Sequence, residues 1–317
     1  MSQFDVALAG EFNLDVLLYG LPEDLPLERE LLASNMAMLM GGSAAITANN
    51  LARLGSRVGL ITAKADDMAA VFCVKELEEA GVDLSHVVAA PPAIGTGMSV
   101  FLQHESLRRS FTYTGSTACL RFADLDLNYL CRARHFHLAS LFLQHSLIED
   151  VPRLLAHLKE AGLSTSLDTN DDPSGIWGGP IHETLKYVDV LMPNEREAKA
   201  LSGEEDLESA IERLTQLVPT VVVKRGALGA LVVDRGRRIE QSAIEVVPID
   251  AVGAGDSFNA GFLHGYVHGW SVDRCLQLGN VAGAYSTTQS GGTSAFRNNT
   301  AMRTFFDMHG NELDCKA

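Results

Sequence analysis

At 317 residues, with 46% hydrophobic and 21% charged side chains, the chain has a globular composition and room for one large α/β domain or two smaller ones. A formal charge of −15, with no basic cluster beyond Arg108-Arg109 and Arg237-Arg238, excludes nucleic acid and anionic membrane surfaces as expected partners. No apolar run approaches the roughly 20 residues of a membrane span, and five scattered cysteines (Cys73, Cys119, Cys131, Cys275 and Cys315) without a C-x-x-C pair read as free thiols of a reducing compartment.

The strand-like run Phe4 to Ala9 leaves no room for a signal peptide, so a cytoplasmic protein is expected. Val6 to Ala9 ends at Gly10 as a buried parallel strand would. Glu11-Phe12-Asn13-Leu14-Asp15 follows at its C-terminal end, where open α/β sheets bind ligands. Asp15 is therefore a candidate to hold substrate hydroxyls, with a loop cap as the alternative. Leu17 to Tyr19 and Met36 to Met40 look strand-like around an acidic, Pro-containing turn (Pro22 to Glu30). Gly41-Gly42 then permits close backbone approach to a ligand, and Ala44, Ala48, Leu51 and Ala52 form a helical face stopped by Gly55. No Lys-Ser/Thr follows, so this is not a Walker A loop.

A strand is expected at Val58 to Thr62 and a helix at Val71 to Ala80. Thr96 to Leu102 and Ser110 to Thr114 alternate like a two-stranded excursion joined by the polar turn Gln103 to Arg109. With the 16–40 segment they suggest a small sheet set apart from the main layer. From His135 the chain alternates regularly: strands near 135–139, 164–168, 188–192, 220–224 and 229–233, helices near 147–161, 181–186, 195–201 and 207–217. Such alternation implies a parallel sheet covered on both faces. No composition break divides it, and one domain spanning 1–317 with lid segments near 16–40 and 95–115 is expected.

The stretch with most chemical content is Pro248-Ile249-Asp250-Ala251-Val252-Gly253-Ala254-Gly255-Asp256-Ser257-Phe258, between a β-rich run (Ala243 to Ile249) and an apolar run (Phe258 to Val267). Small residues at 253–255 let successive N–H groups converge on one point at a helix N-terminus, making an anion nest. Asp256 stands in its mouth. An acid there is costly unless it acts, for instance by taking the proton of an attacking hydroxyl; the alternative is an N-capping aspartate.

Weaker signals flank it. Asp168-Thr169-Asn170 and Asn194-Glu195-Arg196-Glu197 stand just past expected strands. Asn194 and Glu197 could organise the waters of Mg²⁺, or cap a helix. Lys224-Arg225-Gly226-Ala227-Leu228-Gly229 is a turn that could admit a base or ribose, or an ordinary hairpin. His264 and His268 have zinc-helix spacing, but Gly265 stands where that pattern needs Glu. Asn280 falls inside a helical run from Cys275 to Ser286, facing a ligand or water. Gly291-Gly292-Thr293 is a further tight turn.

Asp250-Ala251-Val252-Gly253-Ala254-Gly255-Asp256 resembles the C-terminal signature of the ribokinase/PfkB carbohydrate kinases, and the likeness extends from Asp15 to about Gly292. It implies an α/β, ribokinase-like three-layer fold with a mostly parallel central sheet and a small β-sheet lid. It further implies ATP-dependent phosphorylation of a sugar hydroxyl with Mg²⁺, and K⁺ as a candidate cation near Asp250. By that resemblance Asn13, Asp15, Gly41 and Gly42 belong to the sugar site. Asn194 and Glu197 organise Mg²⁺ and phosphate. Lys224, Gly226, Gly229 and Asn280 lie along the nucleotide, Gly253, Ala254 and Gly255 form the anion hole, and Asp256 is the base. The lid implies a homodimer contact.

Four positions depart from the family pattern: Ile46 replaces an Asn, Ala65 and Ala70 replace glycines, and Asp172 stands where acid-sugar kinases carry Arg. An anionic substrate needs a cationic partner, so a small neutral sugar is the expected substrate. A nucleoside kinase on the same fold is the rival, with Met36, Met38, Met40, Phe101 and Tyr113 as an apolar slot under the lid. A non-catalytic sugar- or nucleotide-binding regulator is the third reading; retention of Asp256 argues against it.

Overall fold

The computed structural model describes residues 2–24, 26–104 and 107–310. Its chain runs β1 (Phe4–Ala9), β2 (Asn13–Tyr19), β3 (Asn35–Gly41), α1 (Ser43–Arg53), β4 (Val58–Ile61), β5 (Ala63–Lys64), α2 (Met68–Ala80), β6 (Val88–Ala89), β7 (Met98–His104), β8 (Leu107–Tyr113) and α3 (Leu127–Leu130). The second half follows as β9 (Ala133–Ala139), α4 (Val151–Glu160), β10 (Ser164–Asp168), α5 (Ile181–Leu185), β11 (Val190–Leu191), α6 (Glu195–Ser202), α7 (Leu207–Thr215), β12 (Thr220–Lys224), β13 (Ala230–Asp234), β14 (Arg237–Gln241), α8 (Ala254–Val267), α9 (Val272–Ser286) and α10 (Asn299–Met308).

An eight-stranded sheet has the order β14-β13-β12-β11-β10-β9-β1-β4. It is parallel from β4 to β12, and β13 and β14 add antiparallel at one edge. Both faces are covered, which explains the apolar strands. Val6, Leu8, Val222 and Val232 point into one core with α1, α2, α8, α9 and α10; Ala7, Ala9, Leu167, Val221 and Val223 point into the other with α4 to α7. Chain order reverses at β1, whose neighbours are β4 and β9. That is a switch point, and the residues just beyond the strands' C-terminal ends converge there.

The lid is a separate four-stranded sheet of order β3-β2-β7-β8. Register puts Asn13 opposite Gly41 and Asp15 opposite both Leu39 and Ser99. One face of it therefore carries Asn13, Asp15, Leu17, Leu39, Ser99, Phe101 and Thr112. The other carries Val16, Met36, Met38, Val100, Phe111 and Tyr113. Part of the polar turn expected between β7 and β8, and Cys315, lie outside the described residues.

Two expectations change. The run Ala243 to Ile249 forms no strand; Val247 and Ile249 are exposed, and the ladder instead takes Arg237–Gln241. Charged side chains suit an edge strand that faces water, so hydropathy pointed to the wrong segment. The apolar slot under the lid is also corrected. Met36, Met38 and Tyr113 are more than half exposed on the face opposite Asp15, and of the five residues only Phe101 shares the Asp15 face. Among the described residues no helix is long and apolar enough to cross a membrane.

Candidate active site

The nest forms where α8 begins. Gly253 is the helix N-cap, with φ 72°, and a side chain there would strike Gly292 Cα at 2.5 Å. Asn50 Nδ2 ties the turn together, donating to Ser257 Oγ and to Gly292 O, both at 2.9 Å. Asp256 is the third residue of α8, not its cap, so the capping alternative does not apply. Its side chain is buried facing Ser43 and Asn170. Burial pushes the Asp256 carboxyl up to about 6; the Asp168 charge adds to this, while Lys224, Ser43 and Asn170 oppose it.

Lys224 ends β12 and is bonded to Asp168, which also accepts from Asn259 Nδ2. Its ammonium lies 3.5 Å from where a Cβ of Gly255 would be. Burial alone would lower Lys224, but the charges of Asp168, Glu197 and Asp256 outweigh it and hold it protonated. Lys224 thus places a fixed cation beside the floor of the nest. Asn194 and Glu197 form a reciprocal capping box on α6: Asn194 N–H donates to Glu197 Oε2 at 2.8 Å and Glu197 N–H to Asn194 Oδ1 at 2.9 Å. Burial pushes the Glu197 carboxyl up to about 7, with Asp168 adding and Lys224 opposing. Asn194 is bridged to Lys224 through the backbone, so this pair adjoins the same cluster.

The lid supplies Asp15, buried, whose Oδ1 accepts from Asn13 Nδ2 at 2.6 Å. Leu39 touches Gly291, and Tyr19 Oη donates to Ser290 Oγ at 3.0 Å, so the Asp15 face closes over the turn beside the nest. Gly42 leads into α1, whose first residue, Ser43, faces Asp256.

Other expected site residues lie elsewhere. Gly226 and Gly229 sit in the tight β12–β13 hairpin, where Arg225 N–H donates to Gly229 O at 2.8 Å. Gly229 and Asn280 converge on the backbone of 241–243, Asn280 donating to Gln241 O and Ser242 O. Asp250 accepts from Val252 N–H at 3.0 Å and Gly291 N–H at 2.8 Å. Asp172 serves its own loop, accepting from Ser174 and Trp177. Asp67, in the segment where alanines replace glycines, caps α2 and fixes Thr96. Ile46 packs between Gly253 and Gly292. His264 bonds Ser56, and no cluster of metal-ligating residues occurs among the described residues.

Sequence reasoning left Ser43, Ser140, Asn259 and the acid Glu11 without roles. The position of Glu11 just past the first strand was the only available signal.

The chain matches the model of the pfkB family carbohydrate kinases over residues 3–299 and belongs to that family. It is an ATP-dependent phosphotransferase acting on a sugar hydroxyl. It is 29% identical to the ATP-dependent ribose-1-phosphate kinase of Halopiger xanaduensis, over 92% of this chain and 94% of that one. To the ribokinase of Haemophilus influenzae it is 26% identical over the same shares. A provisionally named ribokinase II of E. coli, solved in complex with ATP and Mg²⁺, superposes with a TM-score of 0.82 at 25% identity, covering 96% of this chain and all of that one.

Proposed function

We propose that the protein transfers the terminal phosphoryl group of ATP to a hydroxyl of a small neutral sugar, with Asp256 as general base. The observation that carries this is a buried carboxyl, raised to about 6, standing in a helix N-terminal nest beside a protonated lysine. A base with that value is ionised at neutral pH yet basic enough to draw off a hydroxyl proton. Amides of Gly253 and Gly255, with the positive end of α8, stabilise charge developing on phosphoryl oxygens, whereas the Ala254 N–H donates to Ala251 O at 3.3 Å within the turn. Lys224 adds a fixed cation from below. Asn13 and Asp15, with the backbone at Gly41 and Gly42, bind sugar hydroxyls on the lid, and the lid excludes water that would compete as acceptor.

The donor set fits Mg²⁺. Glu197 is buried beside Asp168, and a cation nearby would relieve that crowding of acids. Asn194 and Glu197 would hold the ion through its waters, and the bound ion supplies charge neutralisation between the phosphates. Gly226, Gly229 and Asn280 together shape the edge along which the nucleotide lies. A monovalent cation at Asp250 would have to use the second lone pairs of oxygens that already accept amides. The outer lid face, with Met36, Met38, Phe111 and Tyr113 exposed, supports a homodimer through the lid.

The neutral-sugar reading rests on charge. The polar residues directly beside Asp15 (Asn13, Ser99 and Thr112) are uncharged. The nucleoside reading loses its apolar slot to the same strand alternation. ADP release with ATP-Mg²⁺ against neutral sugars, acid sugars, sugar phosphates and nucleosides tests the assignment. Highest kcat/KM on a neutral sugar supports it, and highest kcat/KM on a nucleoside replaces it.

A further inference from the structure

Glu11 is a buried acid that the scheme above does not use. It stands just past the C-terminal end of β1. Its Oε1 accepts from Ala44 N–H at 3.5 Å and its Oε2 from Gln144 Nε2 at 3.4 Å; the Ser140 side chain faces the same carboxyl. These are long contacts to neutral donors, and burial pushes Glu11 up to about 7, with the Asp256 charge adding to it.

Ser140 continues the connection. Its backbone N–H donates to Asn170 Oδ1 at 3.0 Å, which settles the orientation of that amide. With Oδ1 accepting, Asn170 Nδ2 faces the other way and donates to Ser43 Oγ at 2.9 Å. Having accepted this bond, the Ser43 hydroxyl turns its own proton outward, and both Ser43 and Asn170 face the carboxylate of Asp256. Ser140 and Asn170 hold this arrangement with φ of 52° and 54°. For residues with a side chain that conformation is disfavoured and persists only where the surroundings dictate it.

We propose that Ser43 and Asn170 are positioning residues that aim the Asp256 carboxylate, and that Ser140, braced against Glu11, fixes the Asn170 amide in the orientation this needs. This deepens, and rests on, the reading of Asp256 as general base. The groups facing Asp256 are Asp168 from β10, Lys224 from β12, Ser43 from α1 and Asn170 beyond β10, with Glu197 of α6 acting on Lys224. Asp168 and Lys224 are paired with each other. Glu11, at about 7, keeps its proton over the range in which Asp256 ionises, so it braces Ser140 rather than supplying a charge.

The positioning role predicts a shift of one sign. Removing the Asn170 or the Ser43 donor makes Asp256 harder to ionise, whereas Glu11→Gln removes no charge over the range in which Asp256 titrates. A merely structural role moves none of them. The direct measurement is a ¹³C NMR titration of the Asp256 carboxyl in the nucleotide-free protein, assigned by the loss of its signal in Asp256→Asn. The midpoint should rise by roughly 0.5–1 pH unit in Asn170→Ala and in Ser43→Ala, and stay at the wild-type value in Glu11→Gln. The acid limb of kcat/KM with ATP-Mg²⁺ and the best neutral sugar should move the same way. Should Asn170→Ala not fold, Ser43→Ala carries the same test. A midpoint equal to wild type in a folded Asn170→Ala or Ser43→Ala variant, or a lowered midpoint in Glu11→Gln, overturns the proposal. Failure of the base reading is a separate result, namely near-normal turnover in Asp256→Asn.

Discussion

A Cβ at position 41 would fall 2.3 Å from the carboxylate of Asp15 on the neighbouring lid strand. The missing side chain is what lets Asp15 lie flat against β3, with Asn13 Nδ2 fixing its other side. Gly41→Ala must therefore turn the Asp15 carboxylate out of place. We expect KM for the sugar to rise about tenfold or more, the equivalent of about 1.4 kcal/mol, with KM for ATP little changed. Asp15→Ala should act in the same direction and more strongly. Steady-state kinetics with each substrate varied in turn decides it; an equal rise in both constants would remove Asp15 from the sugar site.

Asp256→Asn keeps the shape of the side chain and loses the basic oxygen. Turnover should drop roughly 10²–10⁴-fold, the range for a positioned general base. Nucleotide affinity, measured calorimetrically, should stay close to wild type. Near-normal turnover would place the base elsewhere.

The same substitution has a stability signature. The Asp256 carboxyl rises from an ordinary 3.8 to about 6 on folding, so the folded state binds the proton more tightly than the unfolded one. The resulting stabilisation is fully present below about pH 4 and is lost as pH rises through about 6. At pH 8 wild type therefore carries a buried charge that Asp256→Asn does not. The variant should be more stable than wild type at pH 8, by on the order of 1–3 kcal/mol, and equal to it at pH 4. Denaturant melts at the two pH values check this. An identical difference at both would show that the gain is not linked to ionisation.

Lys224 is the cation on which several buried acids depend. Lys224→Met leaves Asp168 without its partner and Glu197 and Asp256 without a nearby opposite charge. Breaking such a buried pair costs about 3–5 kcal/mol. A shift of that size in the urea unfolding curve is expected, together with loss of turnover. Unchanged stability would mean that Lys224 is solvated in the folded protein.

Sugar phosphates and acid sugars should be poor substrates beside neutral sugars, because a closed, low-dielectric site needs a cation to hold an anionic substituent. A repulsion from Asp172 is not the reason, since that carboxylate holds its own loop. The uncharged surroundings of Asp15 are. A kcat/KM for a sugar phosphate or ketodeoxy acid above that of every neutral sugar and nucleoside would overturn the prediction, and the similarity to a ribose-1-phosphate kinase makes that comparison the stringent one.

The sequence alone determined the layered α/β architecture, because strands buried on both faces must be apolar throughout and their helices amphipathic. Ser164–Asp168 and Thr220–Lys224 were legible to the residue for that reason. The 253–256 turn was legible because a nest demands small residues in immediate succession. What the sequence could not determine was every property that depends on neighbours distant along the chain. Strand alternation placed Met36 and Met38 on the same face as each other, but only the packing of the lid decided that this face is outward. The charged edge strand Arg237–Gln241 hid behind its hydropathy, since its pairing with β13 satisfies the backbone whatever the side chains are. The line from Glu11 through Ser140 and Asn170 to Ser43 and Asp256 joins residues up to 245 positions apart. No local spacing encodes it: it exists because β1, β9 and β10 end side by side and the N-termini of α1 and α8 face them across the switch point.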